Sequence, residues 1–316
     1  MQTVFVDHLS FALGDETYTV EQAAARERIV SSPDVLRQAG FAQHYVCRPG
    51  TTAYDLAQRA VQGIQTALGD IGAIVYSTCL PTNANVGDAA RFRATRDVKY
   101  LMDFPASHLQ SHFGLERATV IGLTQQACTG MLGSLRLART LLIAEPDIQR
   151  VLCVTADRFP DGALYEQAYT LMSDGAAACI VSTVPAGFRL VALQALTNGG
   201  LATASDDETV GSYFSYGYRT IQQTLAKAEL GIADIDWIVP QNVNIKAWHI
   251  FARLLQCDLA RVYCASVAEI AHVISGDNTI NLQRLLAAGK ISPGQRVLLF
   301  MAGYGLNWQC AILEKW

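Results

Sequence analysis

The chain carries one pattern twice, and that repeat limits what it can fold into more than any other feature. An amphipathic helical run, Tyr54 to Leu68, leads into the apolar stretch Asp70-Ile-Gly-Ala-Ile-Val-Tyr-Ser-Thr78 and the turn Cys79-Leu-Pro81-Thr-Asn83. Far downstream, Tyr218 to Leu230 leads into Asp234-Ile-Asp-Trp-Ile-Val-Pro240-Gln-Asn242. The order is the same in both: helix, Asp-Ile, buried strand, Pro, Asn. A second parallel follows each set. Arg150 to Ala156 with Ala176 to Ser182 is matched by Arg296 to Ala302 with Trp308 to Leu313, a buried strand that runs to a loop and another that returns. Units this far apart exceed a solenoid period, so the expected fold is a duplicated α/β domain and not an array. Strands apolar on both faces, alternating with helices, predict mixed, mostly parallel sheets covered on both sides. The halves are expected as residues 1–190 and 191–316, meeting in a linker-like region marked by Pro185, Gly187, Asn198, Gly199 and Gly200.

Within the first half, Ala118 to Ala138 reads as a buried strand, a tight turn carrying Cys128, and a buried helix. A thiol in the first turn of a helix feels the positive end of the macrodipole and several unpaired N–H groups, which favour its thiolate. That prepares a covalent acyl carrier. Gly130, Gly133, Ser134 and Ala138 let the helix pack closely at the centre of a domain. The competing reading is an inert packing atom, as most buried free cysteines are.

Half of the 316 residues are nonpolar, enough for a substantial core. The net charge is −4 and Lys and Arg are scattered, so there is no basic stripe for nucleic acid or an anionic membrane. The first residues lack a basic segment with an apolar one behind it, and no apolar run reaches the length of a membrane span. A soluble, cytoplasmic protein with small-molecule or protein partners is expected. The eight cysteines stand singly, without a Cys-x-x-Cys pair or a His at zinc-finger spacing, which points to reduced thiols and no metal. Before Thr51 the chain offers a strand, Thr3 to Leu13, a helical run, Val20 to Val30, and a short helix opened by Ser32 as cap and Pro33 as first residue.

A cysteine nucleophile needs a group that handles protons and donors for the developing oxyanion. Of the six histidines, His8 lies in the first strand and His44 in an early loop. His108 and His112 share a polar helix with no third ligand nearby, and His249 lies in a helix from Ile245 to Leu255. His272 differs. It sits in a polar, glycine-containing loop, Glu269 to Asn281, with Asp277 five residues on to orient or stabilise an imidazolium. A loop histidine satisfied by a backbone carbonyl is the alternative. Ala302 to Trp308 is a tight glycine turn whose N–H groups can line an oxyanion hole, or a plain hairpin.

Together these residues resemble the thiolase fold, and within it the type III ketosynthase family of 3-oxoacyl-carrier-protein synthases and their acyltransferase relatives in secondary metabolism. From about Thr51 onward four motifs appear in order. Gln126-Ala-Cys128-Thr-Gly130 looks like the nucleophile elbow, and Ser173-Asp174-Gly175 with its following alanines looks like the Gly-Asp-Gly-Ala turn. Pro240-Gln241-Asn242-Val243-Asn244 sits where the family carries Pro-His-Asn-Val-Asn, and Gly303-Tyr304-Gly305 matches the closing glycine loop. The resemblance implies two similar halves layered αβαβα, acylation of Cys128, and an oxyanion hole made by the N–H groups of Cys128 and Tyr304. It also implies a homodimer and no bound cofactor: the pantetheine arrives with the substrate, on an acyl-carrier protein or as acyl-coenzyme A. Asn244 and Lys246 would lie along that substrate, Lys246 near the pantetheine phosphate.

Two departures bear on the reaction. Condensing members use a His and an Asn to hold the malonyl thioester carbonyl; here the His position is Gln241 and the Asn position falls on His272. Gln241 can donate a hydrogen bond but exchanges no proton near neutral pH, so acid–base work passes to His272, oriented by Asp277. The sequence around His272 also resembles the pattern of relatives that transfer acyl groups, and transfer to an alcohol, amine or thiol is favoured because it needs one base; His272→Ala should then spare loading of Cys128 and abolish transfer. Decarboxylative Claisen condensation is the alternative, because decarboxylation needs donors and this pair has two. A catalytically reduced partner subunit of a ketosynthase heterodimer is a further one, against which the complete elbow argues.

Overall fold

The computed structural model describes residues 2–80, 89–304 and 306–316, so the expected turn at residues 81–83 and Gly305 lie outside it. The chain opens with β1 (Phe5–Leu13) and β2 (Glu16–Thr19), then α1 (Val20–Ala25), α2 (Pro33–Gln38), β3 (Gln43–Val46), α3 (Ala53–Gln62) and β4 (Ala73–Ser77). It continues through α4 (Ala89–Thr95), α5 (Pro105–His112), β5 (Thr119–Leu123), α6 (Gly130–Ala144), β6 (Arg150–Asp157), the short β7 (Glu166–Gln167) and β8 (Thr170–Leu171), and β9 (Gly175–Ser182). The second half comprises β10 (Phe188–Thr197), α7 (Asp206–Lys227), β11 (Trp237–Val239), α8 (Ile245–Leu255), α9 (Ala265–Ile270), α10 (Asp277–Ala287), β12 (Arg296–Gly303) and β13 (Asn307–Lys315). Local chemistry sets several boundaries. Thr52 caps α3 reciprocally with Asp55, and Ser32 caps α2 ahead of Pro33.

The repeat in the sequence is a repeat in pairing. β4 lies parallel to β6, which pairs antiparallel with β9; β11 lies parallel to β12, which pairs antiparallel with β13. Both sets belong to one sheet in the order β11-β12-β13-β10-β1-β9-β6-β4-β5. The sheet is mixed, but antiparallel ladders outnumber parallel ones, contrary to the expected balance. The cause is that β1, β9, β10 and β13 return next to one another, and an apolar strand reads the same whichever way its neighbour runs. The segment expected to be linker-like is largely strand β10, and His44 lies in β3 and not in a loop.

Alternate residues of each strand enter different cores. Ile74, Tyr76, Leu152 and Val154 face α3, whereas Ala73, Val75, Val151 and Cys153 face Met131, Leu132 and Leu135 of α6. The second group also meets Val297, Leu299, Ala311 and Leu313, so α6 and α10 form a middle layer between the two parts of the sheet. Leu298, Phe300 and Ile312 face outward onto Ile221 and Leu225 of α7 and Trp248 and Phe251 of α8. The layers are therefore helix, sheet, helix, sheet, helix.

Gly217 shows how close the outer layer is. A Cβ there would lie 2.7 Å from Phe251 Cζ and 2.9 Å from Phe300 Cζ. Gly217→Ala gains about 1 kcal/mol of helix propensity and loses roughly 1–3 kcal/mol to overpacking against two ring edges. A net loss of stability in urea unfolding is expected.

Candidate active site

Cys128 sits where the chain passes from β5 into α6, in a short turn, Ala127–Thr129, at the head of that helix. Ala127, just before it, has φ 43°, a strained conformation for a residue with a side chain. The surroundings hold it there. Ser275 Oγ donates to Ala127 O at 2.9 Å and accepts from Gly130 N at 3.2 Å. Gln309 Nε2 donates to Gln126 Oε1 at 2.6 Å and Thr129 Oγ1 at 3.0 Å. Gly303 closes the other side: a Cβ there would be 2.7 Å from the Cys128 amide nitrogen, so only glycine lets the β12–β13 turn, with Tyr304, approach this closely.

Across from the thiol lies His272, with Nε2 3.4 Å from Cys128 Sγ and Nδ1 2.5 Å from Asp277 Oδ2. All three residues are buried. Asp277 is itself held: Oδ2 accepts from Asn242 N at 2.6 Å and Oδ1 from Val273 N at 2.7 Å. It is the first residue of α10, so the loop expected to run to Asn281 ends at Gly276 and its last residues are helical. An acid there suits the helix N-terminus.

Residues to which the sequence assigns no role of their own position this pair. His272 N donates to Leu171 O at 3.0 Å, and Ser173 N donates to His272 O at 2.8 Å, so the backbone of the histidine is pinned by the strand entering the Ser-Asp-Gly turn. A Cβ on Gly175 would meet Val273 Cγ1 at 2.4 Å, which makes that glycine the seat of the His272 loop. Asp174 accepts from Cys47 N, Phe159 N and Tyr165 Oη, fixing the turn from behind. Asn281 Nδ2 donates to Asn242 Oδ1 and Pro240 O, and Asn278 Nδ2 to Val239 O, so α10 grips the Pro-Gln-Asn segment. The two asparagines in the first turns of α10, Asn278 and Asn281, were the available signal.

Gln241 Oε1 accepts from Ala302 N at 2.5 Å. Only the oxygen can take that bond, so the remaining hydrogen-bonding group of the side chain is its NH₂ donor. A cavity of about 320 Å³ joins these residues: Cys128, Gln241, His272 and Gly303 line it together with Asn244, Lys246 and Tyr304. All seven predicted site residues except Asp277 therefore border one space, and Asp277 stands behind His272. The other histidines do not enter it: His8, His108, His112 and His249 are exposed, and His44 is buried with Nδ1 2.8 Å from Met172 O.

The thiol departs from expectation. A hydrogen bond with the Cys79 thiol, burial, and the carboxylates of Asp157 and Asp277 push Cys128 well above the usual thiol range, not below it. The N-terminus of α6, which carries no side-chain cap, does not outweigh these. These influences favour the protonated thiol, and His272 Nε2, 3.4 Å away, is placed to take its proton. Burial likewise raises Asp157 to about 7, against three donors on Oδ1 from Thr78, Cys79 and Leu80.

A five-layered α/β frame with a cysteine at the elbow of its central helix defines the thiolase-like class. Residues 124–199 match the family model described as 3-Oxoacyl-[acyl-carrier-protein (ACP)] synthase III, and residues 225–315 match its C-terminal counterpart. The chain belongs to this ketosynthase III family and is an acyltransferase-type enzyme. It is 24% identical to the beta-ketoacyl-[acyl-carrier-protein] synthase III of Chlamydia caviae, over 92% of this chain and 91% of the relative. Its fold is that of FabH, the 3-oxoacyl-(acyl carrier protein) synthase III of Pseudomonas aeruginosa PAO1, with a TM-score of 0.82, 20% identity and coverage of 99% and 98%. The acyltransferase ChlB3 is similar to the same extent, with a TM-score of 0.81, 20% identity and the same coverage. Among the described residues no helix is long and apolar enough to cross a membrane.

Proposed function

We propose that the enzyme moves an acyl group from a pantetheine thioester to Cys128 and then to an alcohol, amine or thiol, with His272 as the single acid–base group. One observation carries this reading: His272 Nε2 stands 3.4 Å from Cys128 Sγ while Asp277 takes Nδ1. The Asp277 contact keeps the proton on Nδ1 and leaves Nε2 free to accept another. The Cys128 proton passes to Nε2 as Sγ attacks the thioester carbonyl. The oxyanion forms beside the Cys128 amide and the Gly303–Tyr304 turn, the C–S bond to pantetheine breaks, and the leaving thiolate takes the proton from Nε2. The acceptor then gives its proton to Nε2, attacks the acyl carbon and releases Cys128, which recovers the proton.

Asn244 and Lys246 along the cavity are read as contacts to the pantetheine arm, and the donor as either an acyl-carrier protein or coenzyme A. We read the chain as a cytoplasmic homodimer, with the partly exposed edge strand β5 as the surface available for pairing. Condensation is the second reading, favoured by the Gln241 NH₂ donor and by the synthase relatives. Acyl-enzyme mixed with malonyl thioester, or with simple nucleophiles, separates the two. Discharge onto a nucleophile without carbon dioxide release is expected; carbon dioxide released in step with discharge overturns the transfer reading.

A further inference from the structure

The mechanism has no use for Cys79, yet this thiol lies against the nucleophile. β4 ends at Ser77, and a Cβ on Gly130 would be 3.0 Å from Ser77 Cβ and Oγ, so the end of β4, two residues before Cys79, packs against the start of α6, two residues after Cys128. Buried Asp157 fixes that passage: its Oδ1 accepts from Cys79 N at 2.8 Å and Leu80 N at 2.9 Å. Cys79 packs on the core cluster that contains Cys128, is itself only partly buried, and its thiol hydrogen-bonds the Cys128 thiol.

We propose that Cys79 is a resolving thiol for Cys128: a hydroperoxide that enters the cavity oxidises Cys128, and Cys79 closes a Cys79–Cys128 disulfide. Hydrogen peroxide takes the Cys128 sulfur to the sulfenic acid with loss of water. The Cys79 sulfur then attacks the sulfenic sulfur, and the hydroxide it expels leaves with the Cys79 proton as a second water, so that two thiols and one peroxide give one disulfide and two waters. His272 Nε2 accepts the Cys128 proton in the first step, which gives an otherwise neutral thiol the thiolate character that oxidation needs. The bond blocks the sulfur to acyl donors and spares it the irreversible sulfinic state. Cys153 and Cys179 also meet, opposite each other on β6 and β9, but both are fully buried and neither is in the cavity, whereas Cys128 lines it and Cys79 is partly exposed.

The bond itself does not depend on what Cys128 does; only the accompanying loss of acyl loading rests on the function proposed above. The protein is treated with hydrogen peroxide and mapped by mass spectrometry without reductant, then reduced with dithiothreitol and assayed for acyl loading. A Cys79–Cys128 linked peptide two hydrogens lighter than the free pair, with loading restored by reductant, is expected. In Cys79→Ser, and in Cys79→Ala should the serine variant not fold, Cys128 should advance to the sulfinic acid and reductant should not restore loading. Sulfinic Cys128 beside free Cys79 in the unaltered protein, a disulfide to another partner, or equal recovery in the variants would overturn the proposal. A linked peptide in a protein that never accepts an acyl group would retain the proposal and sink the proposed function instead.

Discussion

Replacing His272 by alanine is expected to slow both acyl loading of Cys128 and its discharge, each by about 10²- to 10⁴-fold. The position of the imidazole decides this. Read from sequence alone, His272 served the acceptor, so that loading survived its loss; at 3.4 Å from Sγ, and beside a thiol that the Cys79 contact and burial push above the usual thiol range, it serves both half-reactions. The His272 backbone is anchored by Leu171 O and Ser173 N and not through its ring, so alanine should leave the fold in place. A time course of intact mass after mixing with acyl thioester checks this. Loading at the rate of the unaltered protein would show that another group takes the thiol proton.

Asp277→Asn should be nearly as severe, for a different reason. The carboxylate accepts from His272 Nδ1 and Asn242 N on one oxygen and from Val273 N on the other, and an amide cannot accept on both sides. If its oxygen faces His272, its NH₂ meets the Val273 N–H. If its NH₂ faces His272, Nδ1 must become an acceptor, and Nε2 then carries the hydrogen and cannot take one from Cys128. The first arrangement leaves a buried N–H unpaired at about 1–3 kcal/mol, and the second costs up to roughly 10⁴-fold in turnover. Loss of turnover well beyond that caused by any loss of folded protein, judged by unfolding of the same sample, is the expected outcome. Turnover close to that of the unaltered protein would contradict the role given to Asp277.

Much of this was legible where the determining forces are local. Thr52 with Asp55, and Ser32 with Pro33, set helix starts within a single turn of chain, and the span Ile245–Leu255 of α8 follows from its apolar spacing and the Asn244 cap. Cys128, with small residues after it, stood out at a strand-to-helix turn, and His272 stood out by its company with Asp277. What escaped notice depends on contacts distant in sequence. The antiparallel return of β1, β9, β10 and β13 leaves no mark on strands that are apolar on both faces. The upward shift of the Cys128 thiol comes from Cys79 and Asp157, which only the fold brings near. The grip of Asn278 and Asn281 on the Pro-Gln-Asn segment was visible only as asparagines oddly placed at the start of a helix, where they read as loop.

Intact-mass spectrometry of the protein incubated with short acyl thioesters, carried on coenzyme A and on a carrier protein, tests most directly whether Cys128 holds the acyl group. A single acyl adduct that maps to the Cys128 peptide and vanishes in Cys128→Ala is the predicted result. No adduct from any donor, or an adduct that persists in Cys128→Ala, would contradict it.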